Sequence, residues 1–224
     1  MRVLRLLLIL GVLATFTVGV SAQKSQPPQW IPLFNGSNLD GWHFKVEPNP
    51  HNKPSWAVVN GVLVNVPPEV PGQHGIDLVS DVELGSHELY IEFMVPHGSN
   101  SGVYLIGQYE IQVLDSYGKD TPSQHDCGGI YGKVAPSENA SLPPGHWQTF
   151  HAIFHKPVVR NGEVVRKPRI TVYHNDKKVL DNVEIEGVTG AALSDEVIER
   201  GPTYLQGNHG LVLFRNIYYK PIKD

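Results

Sequence analysis

The sequence predicts an all-β domain of antiparallel strands, folded as a sandwich or barrel, and three observations carry that prediction. Short apolar or alternating runs recur along the chain with turn residues between them. One separator is Asn60-Gly61, set between Trp56-Ala57-Val58-Val59 and Val62-Leu63-Val64. Asn-Gly between apolar runs is the strongest short hairpin signal, because both central residues of the favoured turn need positive φ. No helical stripe exceeds two turns, and residues 195–199 are the one place for a short helical turn. The 22 Gly and 18 Pro suit a chain with many turns.

The first residues read as a targeting signal. Met1-Arg2-Val3-Leu4-Arg5 carries two positive charges, residues 6–20 are almost entirely apolar, and Val20-Ser21-Ala22 offers small residues at the two positions a signal peptidase inspects. Residues 1–22 are therefore expected to be a signal peptide, with cleavage before Gln23 and export to the periplasm or medium. The apolar run falls short of the ~20 residues a membrane-crossing helix needs, so no membrane span is expected after cleavage. Residues 23–29 (QKSQPPQ) are polar and contain Pro, and are expected to be a disordered lead-in. Residues 30–224 are long enough for one domain with a sizeable core.

Within that domain the expected strands follow in order. Residues 88–95 (ELYIEFMV) alternate polar and apolar. Residues 102–106 and 109–114 are separated by Gly107-Gln108. Residues 149–155 and 169–174 come next, then Asn175-Asp176-Lys177 turns into Lys178-Val179-Leu180, and residues 211–214 and 217–219 close the chain. The Gly- and Pro-rich stretches 67–75 and 117–144 are too polar for a core and are candidate loops around a binding face. No period of 20–50 residues marks a solenoid or propeller.

Charge and cysteine usage narrow the function classes. A net charge of −4 without any long basic run argues against a nucleic-acid partner. The single cysteine, Cys127, has no internal partner and lacks a local pattern for reactivity, so a buried, inert thiol is expected. The histidines show no metal-ligand spacing. His151 and His155 would share a face on a helix, but their segment reads as a strand, and no metal is assigned.

Four segments carry a family resemblance. Leu33-Phe34-Asn35-Gly36-Ser37-Asn38-Leu39-Asp40-Gly41-Trp42 resembles the opening motif of the 3-keto-disaccharide hydrolase family. Trp56-Ala57-Val58-Val59-Asn60-Gly61-Val62-Leu63 looks like its second block. Asn100-Ser101-Gly102-Val103-Tyr104-Leu105 followed by Gly107-Gln108-Tyr109-Glu110-Ile111-Gln112-Val113-Leu114-Asp115-Ser116 looks like its central block. Leu205-Gln206-Gly207-Asn208-His209-Gly210 with Phe214-Arg215-Asn216-Ile217 looks like its C-terminal block. The resemblance spans about Ile31 to Tyr219. It implies a concanavalin-like jelly roll of two antiparallel sheets with a sugar-holding concave face. The implied activity is cleavage of glycosides already oxidised to a ketone at C3, with an oxidised saccharide as the partner. One position departs from the family: Ile106 stands where members often carry a polar or basic residue.

The central block is the richest in chemistry. On a regular strand Glu110, Gln112 and Leu114 share a face, and Asp115 points the other way. A bulge at Val113-Leu114 would return Asp115 to the side of Gln112. The spacing Glu-x-Gln-x-x-Asp resembles the Glu-x-Asp-x-x-Glu strand of retaining β-glucanases on the same fold, which makes such a bulge an expectation. A solvated outer face would serve the same alternation.

A C3 ketone acidifies the hydrogen at C2, and a carboxylate can remove it as general base. Glu110 is the candidate base. Gln112, His209 or a bound divalent metal are candidates to stabilise the enolate, with Asp115 as a further acidic group. Tyr104, Tyr131, Lys133 and Asn100 are candidates for holding substrate, with no cofactor assigned. Two other functions fit the same fold. An ordinary β-glucanase-type hydrolase would need two carboxyls about 5–5.5 Å or ~6.5–9.5 Å apart. A non-catalytic carbohydrate-binding module would need no such pair.

Overall fold

A computed structural model describes residues 30–223, so the signal peptide and lead-in expected over 1–29 lie outside the described residues. Alternating side chains and tight turns give fifteen strands among the described residues: β1 (Ile31–Pro32), β2 (Trp42–Phe44), β3 (Trp56–Val59), β4 (Val62–Asn65), β5 (Leu78–Leu84), β6 (His87–Met94), β7 (Asn100–Leu105), β8 (Tyr109–Leu114), β9 (Trp147–His155), β10 (Val158–Arg160), β11 (Glu163–Arg166), β12 (Arg169–His174), β13 (Lys177–Glu184), β14 (Gly201–Leu205) and β15 (Val212–Pro221). The larger sheet runs β13-β12-β9-β6-β15-β4-β3, with β1 also paired to β15. The smaller runs β2-β5-β14-β7-β8, and β10-β11 form a separate ribbon. Every strand pairing is antiparallel.

The two sheets pack face to face as a jelly-roll sandwich, the fold class the sequence predicts. Phe93, Phe150, Phe154 and Phe214 of the larger sheet meet Leu78, Val103, Tyr109 and Ile111 of the smaller in one continuous core. Each such side chain contributes about 1.5–3 kcal/mol by leaving water, which a chain with one free cysteine needs in place of cross-links. Cys127 itself is buried, and burial pushes its thiol up to about 12. His174 is buried in the same interior, where desolvation pushes its imidazole down to about 3, and Gln148 Oε1 lies 2.9 Å from its Nε2.

Turn chemistry follows the sequence in two hairpins. Asn60 (φ 50°) and Gly61 (φ 82°) join β3 to β4, and Asn175 (φ 50°) and Asp176 (φ 65°) join β12 to β13. The β7–β8 hairpin is less expected, because it turns through Ile106 at φ 43° and Gly107 at φ 71°. A β-branched residue is strained in the left-handed region. Ile106 is held there because its side chain is wholly buried in the core. Residues 195–199 bend without forming the helical turn allowed by the sequence, and there is no helix among the described residues.

Two loops frame the smaller sheet. Within 117–144, the stretch from Gly128 to Tyr131 lies along the outer border of β8. Gly128 N–H donates to Gln112 O (2.9 Å), Gln112 N–H to Gly129 O (3.0 Å) and Tyr131 N–H to Glu110 O (3.1 Å). From the far side of the chain, Thr189 Oγ1 accepts from Glu110 N–H (3.1 Å). The backbone of β8 is thus held by loops where no further strand pairs with it.

Candidate active site

Strand alternation sorts β8 into two sets. Tyr109, Ile111 and Val113 enter the core, which leaves Glu110 and Gln112 on the opposite face of the smaller sheet. The ladder registers extend that face across all five strands. Glu110 pairs with Tyr104, Tyr104 with Tyr204, Tyr204 with Val79, and Val79 with His43. One rung along, Gln112 pairs with Gly102, and Gln206 N–H donates to Gly102 O (3.0 Å). The same register sets Gln206 opposite Asp77, while Lys45 N–H donates to Asp77 O (2.9 Å). Two neighbouring rungs therefore carry almost all the polar chemistry of this face.

Glu110 is 3% exposed. Burial raises its carboxyl to about 7; a hydrogen bond from the Tyr104 hydroxyl opposes the rise, and the negative charge of Asp77 adds to it. That hydroxyl lies 2.7 Å from Glu110 Oε2 and 2.9 Å from Gly190 O. The Tyr104 ring stacks on Tyr204 (centroids 3.8 Å apart, 12° between planes), whose own hydroxyl donates to Ala191 O (2.9 Å). Tyr104 is fully buried. Its place is to orient the carboxylate rather than to offer a ring face to a sugar.

The absence of a side chain at Gly102 leaves the room that Glu110 itself fills. A Cβ there would lie 2.9 Å from both Cγ and Cδ of Glu110 and closer still to Oε1. Four buried amide oxygens on this rung and the adjoining chain are unpartnered: Gln112 Oε1, Gln206 Oε1, Asn100 Oδ1 and Asn208 Oδ1. Gln112 Nε2 is engaged by His125 O (3.3 Å). The amide is thus oriented with its oxygen free, so the end of Gln112 left without a partner is an acceptor, not the donor expected for an enolate.

The remaining expected residues lie around this centre. His209 lies largely exposed on the segment after Gln206, close enough to Asp77 and His74 to feel both; partial desolvation lowers its pKa while Asp77 opposes the fall. Tyr131, half-buried, meets the ring of His125 at 5.0 Å and lies near Gly190. Lys133 is exposed, and its ammonium reaches toward Gly187. Asp115 requires a correction. The β7–β8 register runs from Leu105–Tyr109 to Asn100–Leu114 without a shift, so the bulge is not there. Asp115 Oδ2 instead accepts from Gly98 N–H (2.9 Å) and pairs with His97 (3.0 Å), tying the turn before β7.

The structure adds Asp77, Lys45, Tyr204 and Gln206 to the site. Asp77 is buried, accepting from Gly207 N–H (2.9 Å) and facing Lys45 Nζ (3.5 Å), which also stands 5.5 Å over the Tyr204 ring. In sequence the one signal was an Asp set just before the apolar run Leu78-Val79. A cavity elsewhere, between Gly85, Lys156, Glu199 and Pro221, contains none of these residues. Among the described residues no three of His, Cys, Asp and Glu converge as metal ligands.

Comparison with known proteins bears on the family and the fold. The model of the 3-keto-alpha-glucoside-1,2-lyase-like domain matches residues 29–220. A solved candidate glycosyl hydrolase from Parabacteroides distasonis superposes with a TM-score of 0.71 at 27% identity, covering 88% of this chain and 85% of that one. A second from the same organism gives 0.60 at 26% identity, covering 86% and 99%. No curated protein matches the chain.

Proposed function

Because the chain belongs to the 3-keto-alpha-glucoside-1,2-lyase-like family, we propose that it cleaves glycosides already oxidised to a ketone at C3, with Glu110 as general base. The observation that carries this reading is a buried carboxyl on the polar face of the smaller sheet, held by the Tyr104 hydroxyl at 2.7 Å; its burial pushes it up to about 7, near the pH at which a base must both hold and release a proton.

In the first step the C2–H bond breaks and its proton passes to Glu110. The electron pair forms an enolate with the C3 ketone. The enolate collapses to a C1–C2 double bond as the C1–O bond breaks, and the departing oxygen takes a proton back from Glu110. Water then adds across the double bond, so the net change is hydrolysis. Tyr104 holds Glu110 in place. Lys45 and His209, at the rim of the same face, are the donors available to the developing enolate. Direct displacement at C1 would require a second carboxyl poised across the bond. Asp115 is committed to the Gly98 turn, and Asp77 to Gly207 and Lys45. The proposal also takes the enzyme to be exported, on the strength of residues 1–22.

Incubation with a 3-keto-disaccharide and with its unoxidised parent tests the reading, with monosaccharide release and ultraviolet absorbance of the enone followed together. Cleavage of the oxidised sugar alone supports it. Cleavage of the unoxidised sugar at a comparable rate overturns it.

A further inference from the structure

The rung Gln206–Gly102–Gln112 has a feature that base catalysis does not use. Gln112 and Gln206 are 2% and 5% exposed, flank a residue without a side chain, and each leaves its amide oxygen unpartnered. Asn100 Oδ1, two residues before Gly102 on β7, and Asn208 Oδ1, two residues after Gln206, are unpartnered too. A buried acceptor without a donor is costly, and four on adjoining stretches of chain amount to a demand for hydrogen-bond donors from outside the chain. The orientation of Gln112 is fixed by His125 O, so the free oxygen cannot be exchanged for the NH2 group without losing that bond.

We infer that Gln112 and Gln206, on either side of Gly102 and the Glu110 carboxyl seated on it, form an acceptor cradle that binds free hydroxyl groups of the sugar ring. This rests on the reading of the face as a sugar site. A ketone offers only lone pairs, so it is turned away from the cradle and toward the donors Lys45 and His209. The hydroxyls donate to the two glutamines, and this fixes which ring edge faces Glu110. Neutral amides in place of carboxylates let the cradle accept hydroxyls without adding charge beside a base whose pKa is already raised. Gly102 is needed for this arrangement, because any side chain there would displace the Glu110 carboxyl from between the two glutamines.

The probe is an unreactive glycoside, methyl α-glucoside, and its series of monodeoxy and monofluoro analogues, titrated calorimetrically against the whole protein with and without a chelator. At least one ring hydroxyl is expected to be worth tenfold or more in affinity, with fluorine failing to replace it because fluorine cannot donate. The Gln206→Leu variant, checked for folding by its melting temperature, is expected to lose that discrimination. The analogue series on the unaltered protein gives the same answer should the variant fail to fold. Equal binding of every analogue overturns the cradle, and so does binding that vanishes on chelation and returns with calcium, which would make the occupant a cation. Discrimination without turnover of the 3-keto-disaccharide would leave the cradle standing and remove the proposed catalysis; turnover without discrimination would do the reverse.

Discussion

Tyr104 and Glu110 face each other directly across the β7–β8 ladder, with the phenol oxygen 2.7 Å from Oε2. The same oxygen lies 2.9 Å from Gly190 O, and a phenol has one proton to give. When Glu110 is protonated, Oε2–H donates to Tyr104 and Tyr104 donates to Gly190, and every group is satisfied. When Glu110 is ionised, Tyr104 turns to it and Gly190 O loses its donor. As the base must be ionised to act, kcat/KM on a 3-keto-disaccharide is expected to rise with pH through about 7. The Tyr104 hydrogen bond lowers the Glu110 pKa, so Tyr104→Phe should move the midpoint of the pH profile upward. A profile unmoved by the variant would remove Tyr104 from this role.

Glu110→Gln is expected to reduce turnover by about 10²–10⁴-fold, the usual worth of a positioned base. Its effect on stability has the opposite sign. The carboxyl is raised from 4.5 in the folded protein, so its stabilising contribution is complete below about pH 4.5 and is lost as pH rises through about 7. Above pH 7 the folded state holds a desolvated negative charge that Gln does not carry. Melting curves at pH 8 should therefore place the variant at or above the parent, and a clear fall in its melting temperature would contradict this.

Asp115→Asn should keep catalysis within a few-fold of the parent and lower stability modestly, because the carboxylate serves the Gly98 turn and not the sugar face. Steady-state kinetics on the 3-keto-disaccharide decide the point: a loss comparable to that of Glu110→Gln would restore the acid-pair mechanism.

Acid should destabilise the fold before most carboxylates titrate. His174 and His87 are held neutral by burial, at about 3 and about 4, against 6.5 when unfolded. The unfolded chain binds more protons below 6.5, so stability is full above that value and declines as pH falls toward 4 and below. Denaturant unfolding between pH 7 and 5 should show the decline, and His174→Phe should flatten it.

Ile106→Gly relieves a positive φ, worth roughly 1–2 kcal/mol, but removes a fully buried side chain, worth about 2–5 kcal/mol when truncated to Ala. The larger quantity decides, and the variant should melt at a lower temperature than the parent. An increase would mean that strain outweighs packing at this turn.

The sequence revealed what neighbours along the chain determine. Asn60-Gly61 announced its hairpin through two residues, and the alternation of β8 placed Glu110 and Gln112 on one face. What it could not reveal was pairing between distant segments. Tyr204 stands between Val79 and Tyr104 because β14 inserts between β5 and β7, strands more than ninety residues earlier in the chain. Asp77, Gln206 and Lys45 join the site only through that insertion. The direction of Asp115 was misread for the same reason, since a bulge belongs to a pair of strands and β8 alone does not contain the information.

The strip from Gly128 to Tyr131 against β8 has a consequence for colloidal behaviour. A bare strand border is a template on which a second molecule can add, leading to aggregates. Here the chain covers that border with its own succeeding segment, so the backbone groups of Glu110 and Gln112 that a second molecule would pair with are already engaged.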